Sequence, residues 1–124
     1  MNKFFVLVGP SGAGKTYLIN RLLEKYPLLF EPVRSTTTRP WREPSDDRHY
    51  KFISSEEFKA LQARGEFLED DEYLAYFYGL ERKELDRVVQ KCHGIMTLTS
   101  RGAMAVQDRA QDVRVITIWI TASR

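Results

Sequence analysis

The stretch Gly9-Pro10-Ser11-Gly12-Ala13-Gly14-Lys15-Thr16 decides the fold of this chain. It fits the phosphate-binding pattern G-x-x-x-x-G-K-[ST] at every required position. Glycines allow such a loop to wrap a phosphate with its backbone N–H groups pointing inward. Lys15 then supplies a positive charge for the β- and γ-phosphates of a nucleotide, and the Thr16 hydroxyl supplies a ligand for Mg²⁺. Every residue from Gly9 to Thr16 is therefore a candidate nucleotide-binding residue.

The segments on either side of the loop match what this motif requires. Phe4 to Val8 is a short apolar run typical of a buried parallel strand. From Leu18 to Tyr26 apolar residues recur at helical spacing, and Pro27 ends the helix. A strand, a glycine-rich loop and a helix thus follow in the expected order, which favours a P-loop over a glycine-rich turn that only joins two elements.

Further along the chain, strands alternate with helices. Strands are predicted over 30–35, 50–53, 95–99 and 113–121, and further helices over 54–64, 81–92 and 104–109. Ser54 and Glu57 have capping-box spacing at the start of one helix, and Gly65 suits its end. Residues 36–47 are predicted as loop, and residues 67–78 fit either strand or loop. The alternation predicts an α/β fold with a mainly parallel sheet, whose ligands bind at the carboxyl ends of the strands.

Length and composition set broad limits on the function. A chain of 124 residues suits one domain with room for a small inserted subdomain, and a net charge of +2 is too small to indicate nucleic acid binding. No stretch reaches the length of a membrane span, and no cleavage site follows the first residues, so we expect neither membrane anchor nor signal peptide. The single cysteine, Cys92, excludes an internal disulfide and favours the cytoplasm. The oligomeric state is left open.

Several segments, in order, resemble the guanylate kinase family, whose members transfer a phosphoryl group from ATP to GMP. The matching segments are 9–16 (G-x-S-G-x-G-K-[ST]), 35–42 (S-x-T-T-R-x-x-R), 49–54 (D-Y-x-F-V-S), 65–69 (G-E-F-[LI]-E) and 76–79 (Y-Y-G). The resemblance extends through almost the whole chain and is more specific than the P-loop alone. It implies a P-loop NTPase-type core formed by residues 1–33 and 81–124, with residues 34–80 as a small α+β insertion that binds GMP.

The resemblance implies how the two substrates would be held. Lys15, the amides of the loop and Mg²⁺ would hold ATP and spread the charge that develops on its γ-phosphate. Arg39 and Arg42 would grip the GMP phosphate, because two arginines three residues apart can hold one phosphate from two directions. Tyr50 and Tyr78 would donate to the same phosphate. Catalysis would then consist of in-line positioning and electrostatics. Surface charge and core aromatics are the alternative interpretation of these residues, which the ordered matches disfavour.

The guanine base would be recognised by other residues of the insertion. The resemblance assigns Glu69 to the N1–H and N2–H₂ groups of guanine, an edge that adenine does not present, and it assigns Ser35 to the base as well. Glu69 also opens the acidic run 69–72, which a solvated surface would explain. Leu80 stands where the family has a serine or threonine that bonds the base, so guanine discrimination is expected to be weakened.

Two further departures concern catalysis. Where the family reads L-D-I-D-x-x-G, this sequence has Thr97 and Thr99 in place of the two acids, followed by an unusual Arg101. Mg²⁺ would then be held by Thr16, phosphates and water. The family also continues beyond its last strand into a mobile lid with arginines, whereas this sequence ends at Arg124. It is expected to be either a piece of a longer protein or a protein that works without a lid.

These departures leave two alternative functions open. One is a binding module for GMP or a protein that has lost catalysis; such family members usually also lose the P-loop, whereas Lys15 and Thr16 are intact. The other is a kinase for a different small acceptor such as a ribose phosphate. Leu80 and Arg101 favour that acceptor, and the retained tyrosines and Glu69 oppose it.

Overall fold

The computed structural model describes residues 1–10 and 12–121 as alternating strands and helices. The strands are β1 (Lys3–Val8), β2 (Phe30–Pro32), β3 (Ser35–Thr37), β4 (Tyr50–Phe52), β5 (Phe67–Tyr73), β6 (Tyr76–Glu81), β7 (His93–Thr97) and β8 (Arg114–Trp119). The helices are α1 (Lys15–Lys25), α2 (Asp46–His49), α3 (Ser55–Ala63), α4 (Arg82–Val89) and α5 (Ser100–Arg109). The predicted α/β fold, a parallel sheet flanked by helices, is confirmed.

The parallel sheet has the strand order β2-β7-β1-β8 and forms the centre of the fold. Its middle strand β1 is buried on both faces, as its continuous apolar run predicts. Phe4 and Val6 pack on the side of α4 and α5, whereas Leu7 packs with Ile19 of α1 on the other side. The helices therefore cover both faces and leave the carboxyl end of β1 to lead into the glycine-rich loop.

A second sheet, of mixed direction, has the order β4-β3-β6-β5. Strands β3 and β4 run parallel, and β6 runs antiparallel to both β3 and β5. Helix α3 covers this sheet by stacking Phe58 on Phe67 and Phe77, with ring centroids 4.5 and 5.4 Å apart. The mixed sheet and α3 thus share a small aromatic core that is separate from the core of the parallel sheet.

The capping box at the start of α3 is confirmed. The Ser54 hydroxyl accepts from the Glu57 amide at 3.1 Å, and the Glu57 carboxylate accepts in return from the Ser54 amide at 3.4 Å. Gly65 follows the helix with a φ of 69°, a left-handed conformation that glycine adopts without strain.

Several predicted boundaries were wrong. The single strand predicted over 30–35 is two strands, β2 and β3, which belong to different sheets. The segment 36–47, predicted as loop, contains the end of β3 and the start of α2. The ambiguous segment 67–78 forms most of the β5–β6 hairpin, and β7 begins two residues before the predicted Ile95. Helix α5 begins at Ser100 rather than Met104, because the Thr99 hydroxyl caps it.

Within the part of the chain that the structure describes, none of the helices combines the length and the apolar character that crossing a bilayer requires.

Candidate nucleotide site

The glycine-rich loop leaves the end of β1 in a conformation that its glycines permit. Gly12 and Gly14 have φ values of +83° and +87°, which side chains rarely tolerate. At Gly9 a Cβ would lie 2.4 Å from the carbonyl oxygen of Ile120, so only glycine lets the chain after β8 pass this closely. The Ile120 amide donates to the Val8 carbonyl oxygen at 2.8 Å and ties that chain to the loop. The predicted binding residue Ser11 lies outside the described residues.

The donor side chains lie at the junction of this loop with α1. The loop closes through the Ala13 amide, which donates to the Pro10 carbonyl oxygen at 3.2 Å. The Lys15 ammonium donates to the carbonyl oxygen of Gly9, so it lies back across the start of the loop. Thr16 is exposed in the first turn of α1. Positive charge and the positive end of the helix dipole therefore lie on the same side of the loop.

The residues near the loop fit an Mg²⁺ ion that is held partly by its nucleotide. Thr16 offers an exposed hydroxyl at the start of α1. In residues 1–10 and 12–121, no group of three or more His, Cys, Asp or Glu side chains could hold a metal by itself. Thr97 is exposed at the end of β7, beside Leu7 of β1, whereas the Thr99 hydroxyl accepts from the Gly102 amide at 3.1 Å. A magnesium ion here would therefore take Thr16, phosphate oxygens and water as ligands.

In the loop that follows β3, Arg39 is buried and held in a fixed orientation. Its guanidinium donates through both Nη atoms to the carboxylate of Asp46, each at 3.1 Å, and through Nη1 to the Pro40 carbonyl oxygen at 2.9 Å. The Arg39 guanidinium also lies 4.5 Å from the centroid of the Tyr50 ring, within the range of a cation–π interaction. The planar fork of Arg39 is therefore oriented before any ligand arrives.

Asp46 organises the loop between β3 and α2. Its carboxylate accepts from the amides of Arg42, at 2.9 Å, and Glu43, at 3.3 Å, as well as from Arg39. The Arg39 hydrogen bonds, helped by the two amides and opposed by burial, lower the pKa of Asp46 to about 2. Sequence reasoning missed this residue, because an acid in a polar, proline-rich loop is typical of a solvated surface. The side chain of Arg42, in contrast, is exposed.

Neighbouring strands bring three further predicted residues together. Ser35 of β3 lies opposite Tyr50 of β4 in the strand register, and the rings of Tyr50 and Tyr78 have centroids 6.2 Å apart. All three are partly buried. Because the Tyr50 ring also contacts Arg39, the structure gathers Ser35, Arg39, Tyr50 and Tyr78 on one part of the mixed sheet.

Glu69 lies at the opposite edge of this sheet, on β5. It is 7% exposed and borders a pocket of about 240 Å³. The other residues that line the pocket are Asp70, Asp71, Arg101, Gly102, Ala105 and Arg109. Burial, together with the charges of Asp70 and Asp71, raises the pKa of Glu69 to about 7, and the Leu80 amide and Arg109 oppose the rise. A buried carboxylate that titrates near neutrality is typical of a functional group.

Leu80, at the position where the family has a base-contacting serine or threonine, belongs to the main apolar core. It lies opposite Glu69 in the β5–β6 register, but its side chain is fully buried in the main apolar core. A polar side chain at this position would therefore lie in the core cluster and not along the Glu69 pocket. The expected loss of a base contact at Leu80 is thus accompanied by a gain in packing.

A second buried carboxylate, Glu81, supports the mixed sheet from inside. It accepts from the Thr36 hydroxyl and, at 3.2 Å, from the Lys51 ammonium, with Lys83 at 3.6 Å. Burial opposes ionisation of Glu81, but Thr36 and the two lysines outweigh it and lower its pKa. Contacts from β3, β4 and α4 thus converge on one charge at the end of β6, in a position that no sequence pattern indicated.

A glycine-rich phosphate loop at the end of a parallel strand, beside a sheet carrying an arginine–tyrosine cluster and a buried carboxylate, defines a P-loop nucleotide-binding protein. The family model described as "Guanylate kinase" matches residues 1–124. The chain therefore belongs to the guanylate kinase family.

Individual relatives agree with this assignment. The chain is 36% identical over 118 residues to a guanylate kinase of Trichormus variabilis, covering 95% of this chain and 59% of that protein. It is 35% identical over 122 residues to a guanylate kinase of Chlamydia felis, covering 97% and 58%. The crystal structure of guanylate kinase from Anaplasma phagocytophilum matches with a TM-score of 0.70 and 31% identity, over 95% of this chain and 59% of that one. The chain thus spans about three fifths of the length of these relatives.

Proposed function

We propose that this chain carries the donor and acceptor sites of a guanylate kinase, which transfers the γ-phosphoryl group of ATP to GMP and forms ADP and GDP. The observation that carries this proposal is the mixed sheet. It holds a tyrosine pair with an arginine against one of the two rings and, on another strand, a buried carboxylate with a pKa near 7. The arginine and tyrosines suit a phosphate, and the buried carboxylate suits the N–H donors of guanine. The prediction that residues 1–33 and 81–124 form the core and 34–80 the insertion is part of the proposal, as is a cytoplasmic location.

On the donor side, the backbone amides of the loop from Gly9 to Thr16 would bind the β- and γ-phosphates of ATP. The Lys15 ammonium, which contacts the Gly9 carbonyl oxygen, would move by a side-chain rotation to bind the phosphates instead. The N-terminus of α1 adds a favourable field for the same anion. Bound Mg²⁺, held by Thr16, would help to neutralise charge on the transferring group.

On the acceptor side, Arg39, Arg42, Tyr50 and Tyr78 would hold the phosphate of GMP as the nucleophile. One of its oxygens attacks the γ-phosphorus of ATP, the bond from that phosphorus to the β-bridging oxygen breaks, and ADP leaves with the electron pair. No covalent enzyme intermediate is required. Rate enhancement would come from positioning the two anions and balancing their charge.

At the base, ionised Glu69 would accept hydrogen bonds from guanine N1–H and N2–H₂. The carboxylate is costly to ionise where it lies, since burial and two neighbouring acids raise its pKa. A base that supplies two donors would offset that cost, whereas adenine has no N–H at N1 and would leave the carboxylate unpaired. Discrimination therefore follows from the penalty for an unsatisfied buried group.

The proposal is tested by coupled measurement of ADP release with ATP and Mg²⁺, in the presence of GMP, AMP, UMP or a ribose phosphate. We expect release with GMP, and we expect Lys15→Ala to lower it by a factor of about 100 or more, as loss of one transition-state contact does. Lys25→Ala is the matched control, because Lys25 lies at the far end of the same helix, with its ammonium 5.7 Å from the centroid of the Tyr26 ring.

The remaining outcomes separate the alternatives. GMP binding without turnover would favour a binding module. Turnover with a ribose phosphate but not with GMP would contradict the guanylate assignment and favour a sugar-phosphate kinase. Equal loss of activity in Lys15→Ala and Lys25→Ala would contradict the role of the loop.

A further inference from the structure

The carboxylate of Asp46 joins the two arginines of the acceptor loop to one another. One of its oxygens, Oδ2, accepts from Arg39 Nη1 at 3.1 Å and from the Arg42 amide at 2.9 Å, while Oδ1 accepts from Arg39 Nη2 at 3.1 Å. A third loop group, the Glu43 amide, donates to Oδ2 at 3.3 Å. The orientation of the Arg39 side chain and the path of the backbone at Arg42 therefore depend on the same group.

The pairing leaves Arg39 able to bind a further anion. A guanidinium has five N–H donors, and the hydrogen bonds to Asp46 and Pro40 engage three of them on Nη1 and Nη2. The Tyr50 ring lies against the guanidinium and limits the directions in which it can turn. Arg39 thus retains donors for a phosphate, in an orientation fixed by its partners.

The same pairing cancels the charge of Arg39. The pKa of Asp46 is about 2, so this carboxylate is ionised at neutral pH and the Arg39–Asp46 pair carries no net charge. Arg42, whose side chain is exposed and makes no hydrogen bond or ion pair with the described residues, then supplies uncancelled positive charge in this loop. Charge and orientation are divided between the two arginines.

We infer that Asp46 is a positioning residue for the acceptor phosphate: it sets the fork of Arg39 and the backbone of Arg42 so that both reach one anion. This inference rests on the proposed function. It has an unusual consequence, because positioning and electrostatics predict opposite effects for removal of the acid. Neutralising Asp46 adds net positive charge near the phosphate, which by electrostatics alone would tighten binding, whereas loss of the fork would weaken it.

The test measures the affinities of GMP and guanosine calorimetrically in the wild type, Asp46→Asn and Asp47→Asn. An asparagine keeps one acceptor but turns an N–H₂ toward the guanidinium, so the two-point pairing is lost. We expect Asp46→Asn to lower the affinity for GMP about tenfold and to leave the affinity for guanosine unchanged. Asp47→Asn makes the same charge change one residue away, at an exposed acid that accepts from the Trp41 indole, and should leave GMP unchanged or slightly tighter.

A second variant pair keeps the test decisive if Asp46→Asn loses structure, which a loss of guanosine binding would reveal. Arg39→Lys retains the positive charge but loses the planar guanidinium fork. It should lower the affinity for GMP by a similar factor. The double variant Arg39→Lys/Asp46→Asn should bind GMP less weakly than the product of the two single losses implies, because part of the effect of Asp46 acts through the Arg39 fork.

Tighter GMP binding by Asp46→Asn, or independent losses that multiply in the double variant, would overturn the inference. A wild type that binds GMP no more tightly than guanosine would contradict the proposed phosphate site itself, and the positioning role would fall with it.

Discussion

The glycine-rich loop, proposed to bind the phosphate donor and here called the donor loop, and the mixed sheet, proposed to bind the acceptor and here called the acceptor sheet, are built in different ways. The loop from Gly9 to Thr16 depends on contiguous residues, with glycines at positive φ and a lysine that contacts the loop's own backbone. The acceptor sheet depends on charges that meet from distant points, such as Glu81, which contacts Thr36 and Lys51. The comparison shows that the glycine-rich loop is specified by neighbouring residues, whereas the mixed sheet holds buried charges whose partners come from several strands.

The largest effect is expected where the acceptor sheet meets the main core. Leu80→Ser removes a fully buried side chain and introduces a hydroxyl among apolar neighbours. We expect a loss of about 3 kcal/mol in the free energy of unfolding, measured by urea denaturation. Leu28→Ser is the matched control, since Leu28 is 90% exposed and should change stability by less than about 0.5 kcal/mol. Equal effects of the two variants would contradict the position of Leu80.

An effect of similar size and opposite sign is expected at Glu69. Its pKa in the folded protein, about 7, lies above the ordinary value of 4.5. The folded state therefore holds this proton more tightly, and stability falls as pH rises from about 4.5 to 7. Glu69→Gln should remove that loss and raise stability by about 3 kcal/mol at pH 8, with little difference from the wild type at pH 4.5. Thermal unfolding at both pH values measures it; a gain at pH 4.5 as large as at pH 8 would exclude ionisation as its cause.

A residue that binds a ligand often lowers the stability of the free protein, and Glu69 should show this. The same substitution should abolish the preference for GMP over AMP, because an amide cannot accept from both guanine donors. Stability and recognition would then depend on one carboxylate in opposite directions.

The smallest effect is expected in the donor loop. Gly12→Ala and Gly65→Ala both place a side chain at positive φ in open space, and each should cost about 1 kcal/mol of stability. Of these two variants, only Gly12→Ala should also lower the affinity for ATP, because Gly12 belongs to the glycine-rich loop and Gly65 does not. Titration of ATP against both variants checks this, and an equal loss of ATP affinity in Gly65→Ala would mean that the effect is global.

The same contrast explains what the sequence could predict. The P-loop, the capping box at Ser54 and the α/β class follow from short patterns, since each depends on neighbours a few residues apart. The break between β2 and β3 could not be predicted, because no glycine or turn motif in residues 30–35 indicates that the chain passes from one sheet to the other. The roles of Asp46 and Glu81 were missed for a related reason: a buried acid has the same sequence signature as a solvated one until its partners are brought together.

Leu80 illustrates a limit of motif comparison. Its place in the motif suggested a weakened guanine contact, but the side chain packs in the core. Burial of Glu69 likewise could not be deduced from an acidic run, although the family resemblance selected this residue from the others.

The most direct test of the account is calorimetric binding of GMP and AMP at pH 8 and pH 6. If ionised Glu69 recognises guanine, GMP should bind more tightly than AMP at pH 8, and its affinity should fall about tenfold at pH 6, as the ionised fraction of a group with a pKa near 7 does. Glu69→Gln reveals any contribution from titration of the GMP phosphate, and only the difference between the two proteins is assigned to Glu69. Equal affinity for GMP and AMP, or the same pH dependence in wild type and variant, would contradict the account.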